Sequence, residues 1–203
     1  MSEYERWEKR YATPDYHFGT APNAFLKSKA PLLKAEAGQK ALSIADGEGR
    51  NGVFIAECGL EVTAFDFSPA ALAKARALAK DRGVAMRFEQ ADLYKYPWPT
   101  DEYDVVAAIF FQFCPPPIRA EVFAGMKRAL KRGGLLLMEG YRPEQLKYKT
   151  GGPSEVENLY TRVLLEQSFA DFASVEIEEY DAEVKEGAGH GGMSALIDFV
   201  GRK

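Results

Sequence analysis

Cysteine and histidine are scarce, with two of each in 203 residues. Cys58 and Cys114 form no CxxC pair, so neither a disulfide framework nor a zinc-type site is expected, and two histidines add little metal-binding capacity. No metal is therefore expected, and a thiol-reducing, cytoplasmic home is the default. No apolar run approaches the roughly 18 residues of a membrane span, so no membrane partner is expected. Residues 1–20 show no positive region followed by an apolar one, so a secretory signal is not expected. Net charge is -4 with no basic block, which disfavours electrostatic nucleic-acid binding. Internal repeats and low-complexity stretches are also missing. What remains is ordinary: 46% hydrophobic and 28% charged residues. A chain of this size buries roughly 70% of its open surface on folding and needs no covalent staple. One domain over 1–203 is expected, with a helical lead-in over 1–35 and a core over 36–203.

The lead-in begins with an amphipathic stretch, Glu3 to Tyr11, in which Tyr4, Trp7 and Tyr11 recur at helical spacing. A Pro- and Gly-broken loop follows, and Asn23 looks like the N-cap of a helix over Ala24–Leu33. From Lys40 the pattern alternates. Strands are predicted over Ala41–Ala45, Glu61–Phe65, Ala85–Glu89, Tyr103–Phe110 and Leu135–Glu139. Helices are predicted over Asn51–Cys58, from Ser68-Pro69 to Gly83, over Pro115–Lys131 and within Glu155–Phe169. Ser68 supplies a cap oxygen, and Pro69 suits the first helical position because its missing N–H would have had no partner there. Two late strands, Val175–Val184 and Ser194–Val200, flank a Gly-rich stretch, Gly187–Gly192, expected to be a hairpin loop. The order predicts an α/β fold: a doubly wound, mostly parallel, seven-stranded Rossmann-like sheet with helices on both faces and an antiparallel C-terminal hairpin.

In such sheets ligands bind beyond the carboxyl ends of the strands. The first such loop is Asp46-Gly47-Glu48-Gly49-Arg50-Asn51-Gly52. Its glycines permit a tight turn and close backbone approach, and the following helix N-terminus favours a negative group. The spacing also satisfies the dinucleotide pattern GxGxxG. Asp66 ends the second strand, where a carboxylate can accept hydrogen bonds from ribose hydroxyls. After the third strand, Asp92 in Ala91-Asp92-Leu93 suits either an adenine amine or a local turn cap. The fourth strand ends in Ile109-Phe110-Phe111-Gln112-Phe113-Cys114, an aromatic cluster where a substrate pocket would open or a core would pack. Cys114 reads as a buried thiol more readily than as a nucleophile. His190, among glycines, suits either a substrate contact or a solvated turn.

Taken together, these segments resemble the class I S-adenosylmethionine-dependent methyltransferases over nearly the whole chain, and in particular the branch of tellurite-resistance and, more distantly, thiopurine methyltransferases. The resemblance rests on Arg10-Tyr11, Phe18–Asn23, Asp46–Asn51, Asp66-Phe67-Ser68, Ala91-Asp92-Leu93, Leu130–Gly134, Lys149–Pro153 and the ending Glu186–Arg202. It implies S-adenosylmethionine as cofactor. Gly47 and Gly49 would face its methionine part, with Asp46 and Asn51 in the same loop. Asp66 would hold the ribose. Phe67, Ala91, Asp92 and Leu93 would meet the adenine, and Ile109 would lie near the sulfonium. The branch usually has an acid where Ser43 stands and a glycine where Ala45 stands. Asp46 is therefore expected to replace the missing acid, and Ala45 to divert the loop, because alanine adopts positive φ only at a cost.

Methyl transfer from a sulfonium releases a neutral leaving group, so alignment and exclusion of water are the enzyme's main work. No single catalytic residue is assigned. Tyr11, Phe18, Phe111, Tyr141 and His190 are candidate walls for a small acceptor: a thiol, a metalloid oxyanion or another small metabolite. Two other readings stay open at this point. GxGxxG with Asp66 also suits an NAD-dependent oxidoreductase, and Ser43 with Ala45 suits a degenerate methyltransferase fold that binds without catalysis. The lead-in would act as a lid over bound cofactor. The sequence leaves the oligomeric state open.

Overall fold

The structure is a computed structural model and describes residues 3–33 and 38–203. The expected boundary between lead-in and core, at 35/36, lies outside the described residues. Helix α1 spans Glu3–Tyr11 and α2 spans Ala24–Ser28; β1 (Lys40–Ser43), α3 (Arg50–Glu57), β2 (Glu61–Asp66), α4 (Pro69–Asp81) and β3 (Arg87–Gln90) follow. The later elements are β4 (Tyr103–Ile109), α5 (Pro116–Ala129), β5 (Leu130–Tyr141), α6 (Gln145–Tyr148), α7 (Arg162–Ser168), β6 (Ser174–Glu186) and β7 (His190–Arg202). The strands form a seven-stranded sheet in the order β3-β2-β1-β4-β5-β7-β6. It is mostly parallel, and the C-terminal hairpin is antiparallel. Among the described residues no helix is long and apolar enough to cross a membrane.

The chain divides into two compact units. One holds the residues up to Tyr96 with Glu186–Gly189, and the other holds Pro97–Lys185 with His190–Lys203. In the first, β1 pairs parallel with β2 (Ser43 opposite Ala64), and β2 with β3 (Asp66 opposite Gln90). This register brings the ends of β2 and β3 to one level, while β1 ends at Ser43, opposite Ala64. Helix α4 forms because Ser68 accepts the Ala71 N–H and Pro69 begins the first turn; such a cap is worth about 1 kcal/mol. Its buried residues, Ala71, Leu72, Ala75, Leu78 and Ala79, recur at helical spacing, which gives it one apolar stripe.

In the second unit β4 pairs parallel with β5, and β5 antiparallel with β7. The core there is aromatic: the Phe169 ring centroid lies 5.1 Å from Phe123 and 4.7 Å from Phe199. Offset or tilted ring pairs at such distances add about 0.5–1.5 kcal/mol beyond their buried area.

Three expectations need correction. The lead-in helix over Ala24–Leu33 breaks after Ser28 and resumes as a 3-10 turn over Ala30–Leu33, because Pro31 disfavours the α conformation at Ala30. The helix over Pro115–Lys131 ends at Ala129, and β5 starts at once at Leu130. The Gly133-Gly134 pair is a bulge inside that strand: Tyr103 pairs with Leu130 but Val105 with Leu135. The segment Glu155–Phe169 holds a helix as expected, α7, which starts late, after a 3-10 turn over Val156–Asn158. Asn158, Leu159 and Tyr160 are buried in succession, and the Tyr160 N–H donates to the Tyr141 carbonyl; a continuing helix would turn one of the three outward. Finally, β6 and β7 run further than expected, so the hairpin turn shrinks to Gly187–Gly189 and His190 opens β7.

Candidate functional site

The turn after β1 is built from left-handed residues. Ala45 has φ 46°, Gly47 φ 58° and Gly49 φ 90°. The expected diversion at Ala45 does not occur. Alanine takes the conformation a glycine would have taken, at a cost of roughly 1–2 kcal/mol. Gly49 is the N-cap of α3, and a Cβ there would lie 2.7 Å from the Ala75 Cβ, so α4 packs directly on the turn. A Cβ at Gly52 would lie 2.5 Å from Asp46 Oδ2. That missing Cβ lets the Asp46 carboxyl accept the Gly52 N–H at 3.1 Å, while the Ser43 hydroxyl donates to it at 2.7 Å. Burial raises the Asp46 pKa to about 7, against the pull of its Ser43 and Gly52 hydrogen bonds.

Asp66, at the end of β2, is 4% exposed. Its carboxylate accepts the Gly47 N–H at 3.0 Å and the Ser68 N–H at 2.9 Å. Burial raises its pKa to about 6, while backbone hydrogen bonds from Ser68, Gly47 and Phe67 oppose the rise. A carboxylate has about four acceptor positions, so these amides leave room for a ligand hydroxyl. Ala91 donates its N–H to the Asp66 carbonyl at 3.0 Å, and Leu93 is buried. The Asp92 carboxylate accepts the Tyr94 N–H and caps a short 3-10 turn, so the local-cap reading of Asp92 describes its present partner. Asn51 is buried and accepts the Asn23 N–H at 2.9 Å; its side chain fastens the lead-in.

Helix α1 lies against these loops. The Ser68 hydroxyl donates to Glu8, and the Tyr4 ring centroid is 5.4 Å from Phe67. A Cβ on Gly47 would meet the Tyr11 hydroxyl at 3.1 Å. Trp7 stacks on Tyr11 at 5.5 Å and lies 6.2 Å from Phe18. Burial first, then Asp66 and Glu48, holds the Tyr11 pKa well above the usual phenol value. Its hydroxyl therefore keeps its proton and is a donor at neutral pH.

In the second unit Ile109 ends β4, half-buried, and Phe110 follows at φ 54°. The Phe110 ring centroid is 4.7 Å from Tyr141 and 4.6 Å from His190, which lies 6.0 Å from Tyr141. Phe111, expected as a pocket wall, is instead 1% exposed and packs on Phe123 and Tyr160. The chain turns at Phe110, past the end of β4, and Phe111 enters the core. Cys114 is buried.

Comparison with known proteins decides the fold. Residues 41–134 match the family model of a methyltransferase domain. A solved structure of TehB from Haemophilus influenzae superposes with a TM-score of 0.70 at 16% identity, covering 98% of this chain and 66% of that one. The N-methyltransferase NodS from Bradyrhizobium japonicum, solved with S-adenosyl-L-homocysteine, gives 0.70 at 14% identity, with 98% and 97% covered. This chain has the class I S-adenosylmethionine-dependent methyltransferase fold. In sequence it is 33% identical over 114 residues to the demethylmenaquinone methyltransferase of Thermus thermophilus, covering 55% of this chain and 51% of that protein. The alignment thus spans about half the length of that curated relative.

Within the methyltransferase fold, the turn after β1, the acid ending β2 and the loop after β3 fall in the first unit, and the loop after β4 falls in the second. Two residues escaped the sequence reading. Glu48 hides as the variable position of a GxG turn, and its burial has no signature in spacing. Phe110 was legible only as one of several phenylalanines, and its positive φ cannot be read from residue type.

Proposed function

We propose that the chain transfers a methyl group from S-adenosylmethionine to a small-molecule acceptor. The observation that carries this reading is Asp66: a buried carboxylate ending β2, bonded to the Gly47 and Ser68 amides and keeping acceptor capacity toward the glycine turn. The cofactor's parts suit what is present. Asp66 would hold the ribose hydroxyls, with Phe67, Ala91 and Leu93 beside the adenine. Gly47 gives the backbone room for the methionine part. Asp46 would stand in for the acid missing at Ser43, since the two side chains share a hydrogen bond at 2.7 Å.

S-adenosylmethionine supplies a methyl on a sulfonium, already activated for transfer. The chain's contribution is then to bind, orient and exclude water. The Tyr11 hydroxyl stays protonated beside the turn, and the Trp7, Tyr11 and Phe18 rings shield it. Phe110, Tyr141 and His190 would contact the acceptor. A thiol, a metalloid oxyanion or another small metabolite suits positioning without a dedicated base.

Calorimetric titration of S-adenosylhomocysteine and NAD into the wild type and Asp66→Ala tests the reading. Binding of the former alone, weakened about tenfold or more by the substitution, is expected. Binding of NAD instead would replace the methyltransferase reading with a hydride-transfer one.

A further inference from the structure

Glu48 stands between Gly47 and Gly49, in a turn whose shape its side chain does not require. It is nevertheless buried, at 3% exposure. Its carboxylate accepts the His17 N–H at 2.7 Å, the Phe18 N–H at 3.4 Å and the Lys74 ammonium at 2.7 Å. Lys74, on α4, also donates to the Asp15 carbonyl at 2.7 Å. Tyr16 closes the group: its hydroxyl donates to the Lys74 carbonyl at 3.1 Å, and its ring lies 5.6 Å from the ammonium. The segment 15–18 is thus fastened residue by residue to one carboxylate and one ammonium.

A buried ion pair is a poor device for stability alone, since apolar side chains of the same volume often do as well. Its particular gift is registry, because a carboxylate can hold two adjacent backbone amides in one place. Here that registry closes a circuit. Glu48 holds Phe18. Phe18 lies against Trp7, and Trp7 stacks on Tyr11. The Tyr11 hydroxyl stands beside Gly47, the residue before Glu48. The far end of the segment has its own fastening: Glu186 accepts from Arg50 at 2.6 Å and from the Asn23 side chain at 3.1 Å. Releasing Glu48 therefore loosens the part of the lead-in next to the turn and leaves the rest tethered.

We propose that Glu48 is a positioning residue: with Lys74 it fastens the segment 15–18 beside the glycine turn, and so sets how long S-adenosylhomocysteine stays bound. The inference rests on the cofactor reading above. Its test uses the full chain as wild type, Glu48→Gln, Lys74→Met and, as control, Glu57→Gln, which breaks only the more exposed pair with Arg82. Two quantities are measured: hydrogen exchange at the His17 and Phe18 amides, and the dissociation rate of S-adenosylhomocysteine followed by tryptophan fluorescence. Glu48→Gln is expected to exchange these amides faster and to release the ligand about tenfold faster, with association little changed. Lys74→Met shifts both in the same direction and carries the test if Glu48→Gln does not fold. The control changes neither.

Faster amide exchange with an unchanged ligand lifetime overturns the proposal, as does unchanged exchange in both variants. A wild type that binds no S-adenosylhomocysteine overturns the cofactor reading first and this inference with it. A ligand that binds equally long with and without the Glu48 carboxylate overturns the inference alone.

Discussion

The loop after β1 and the loop after β4 each follow a parallel strand, and each holds a non-glycine residue in the left-handed region, Ala45 at φ 46° and Phe110 at φ 54°. They are fixed by different groups. Around Ala45 the fastenings are directional: Asp46 to Ser43 and Gly52, Asp66 to Gly47 and Ser68, and Glu48 to the lead-in amides. Around Phe110, ring contacts with Tyr141 and His190 join neutral hydrogen bonds: the Phe110 N–H donates to the Glu139 carbonyl at 2.9 Å, and the buried Gln112 side chain donates to the Tyr141 carbonyl at 2.9 Å and accepts the Tyr141 N–H. Hydrogen bonds to buried carboxylates tolerate little displacement, whereas ring packing tolerates exchange for other shapes of similar volume. The carboxylates of the first loop are therefore harder to replace than the rings of the second.

The largest expected effect strikes the first loop. Gly49→Ala would place a Cβ 2.7 Å from the Ala75 Cβ at a residue with φ 90°. Left-handed strain and overpacking together should cost about 3 kcal/mol or more in chemical denaturation, and S-adenosylhomocysteine binding should go with it. A loss under about 1 kcal/mol would mean that the turn is not a rigid cradle.

The next effect is a pH dependence that the ring-packed loop has no reason to share. Asp46 and Asp66 have folded pKa values raised to about 7 and about 6, above the unfolded carboxylate value of about 3.9. The folded state therefore binds more protons than the unfolded one across that window, and these groups lower stability as pH rises from about 4 to about 7. Asp46→Asn removes the larger share. Its stability relative to wild type should climb by roughly 2 kcal/mol or more between pH 4 and pH 7 and then level off. A difference flat across that range would contradict the buried, proton-holding Asp46.

A smaller contrast probes the second loop. Phe110→Ala removes the ring and keeps the strain, while Phe110→Gly removes both. If the strain is real, the glycine variant should be more stable than the alanine variant by about 1 kcal/mol, measured by urea midpoints. Smallest of all, Ala45→Gly should relieve the first loop's strain and stabilise by up to about 1 kcal/mol, part of which the greater freedom of the unfolded glycine chain offsets. Equal or lower stability would show that Ala45 sits without strain.

Much of this comparison was legible in the sequence. The alternation of apolar runs with helices, one capped at Ser68-Pro69, pointed to the mostly parallel sheet, and the acid ending the second strand was expected to mark its ligand end. What escaped was of one physical kind. The late start of the helix within Glu155–Phe169 depends on three successive residues being buried against other elements, and the bulge at Gly133 depends on pairing with β4. Neither leaves a local trace. Likewise Glu48 resembles any surface glutamate until the fold encloses it, and Phe110 and Phe111 are indistinguishable until the turn at Phe110 sends Phe111 into the core.

The most direct measurement is a crystal structure of the chain grown with S-adenosylhomocysteine. The expected result is a ribose hydroxyl within hydrogen-bond distance of Asp66, with the methionine part beside Gly47 and the Tyr11 hydroxyl. Ligand bound elsewhere, with Asp66 still held only by its backbone amides, would contradict the assignment of this turn as the cofactor site.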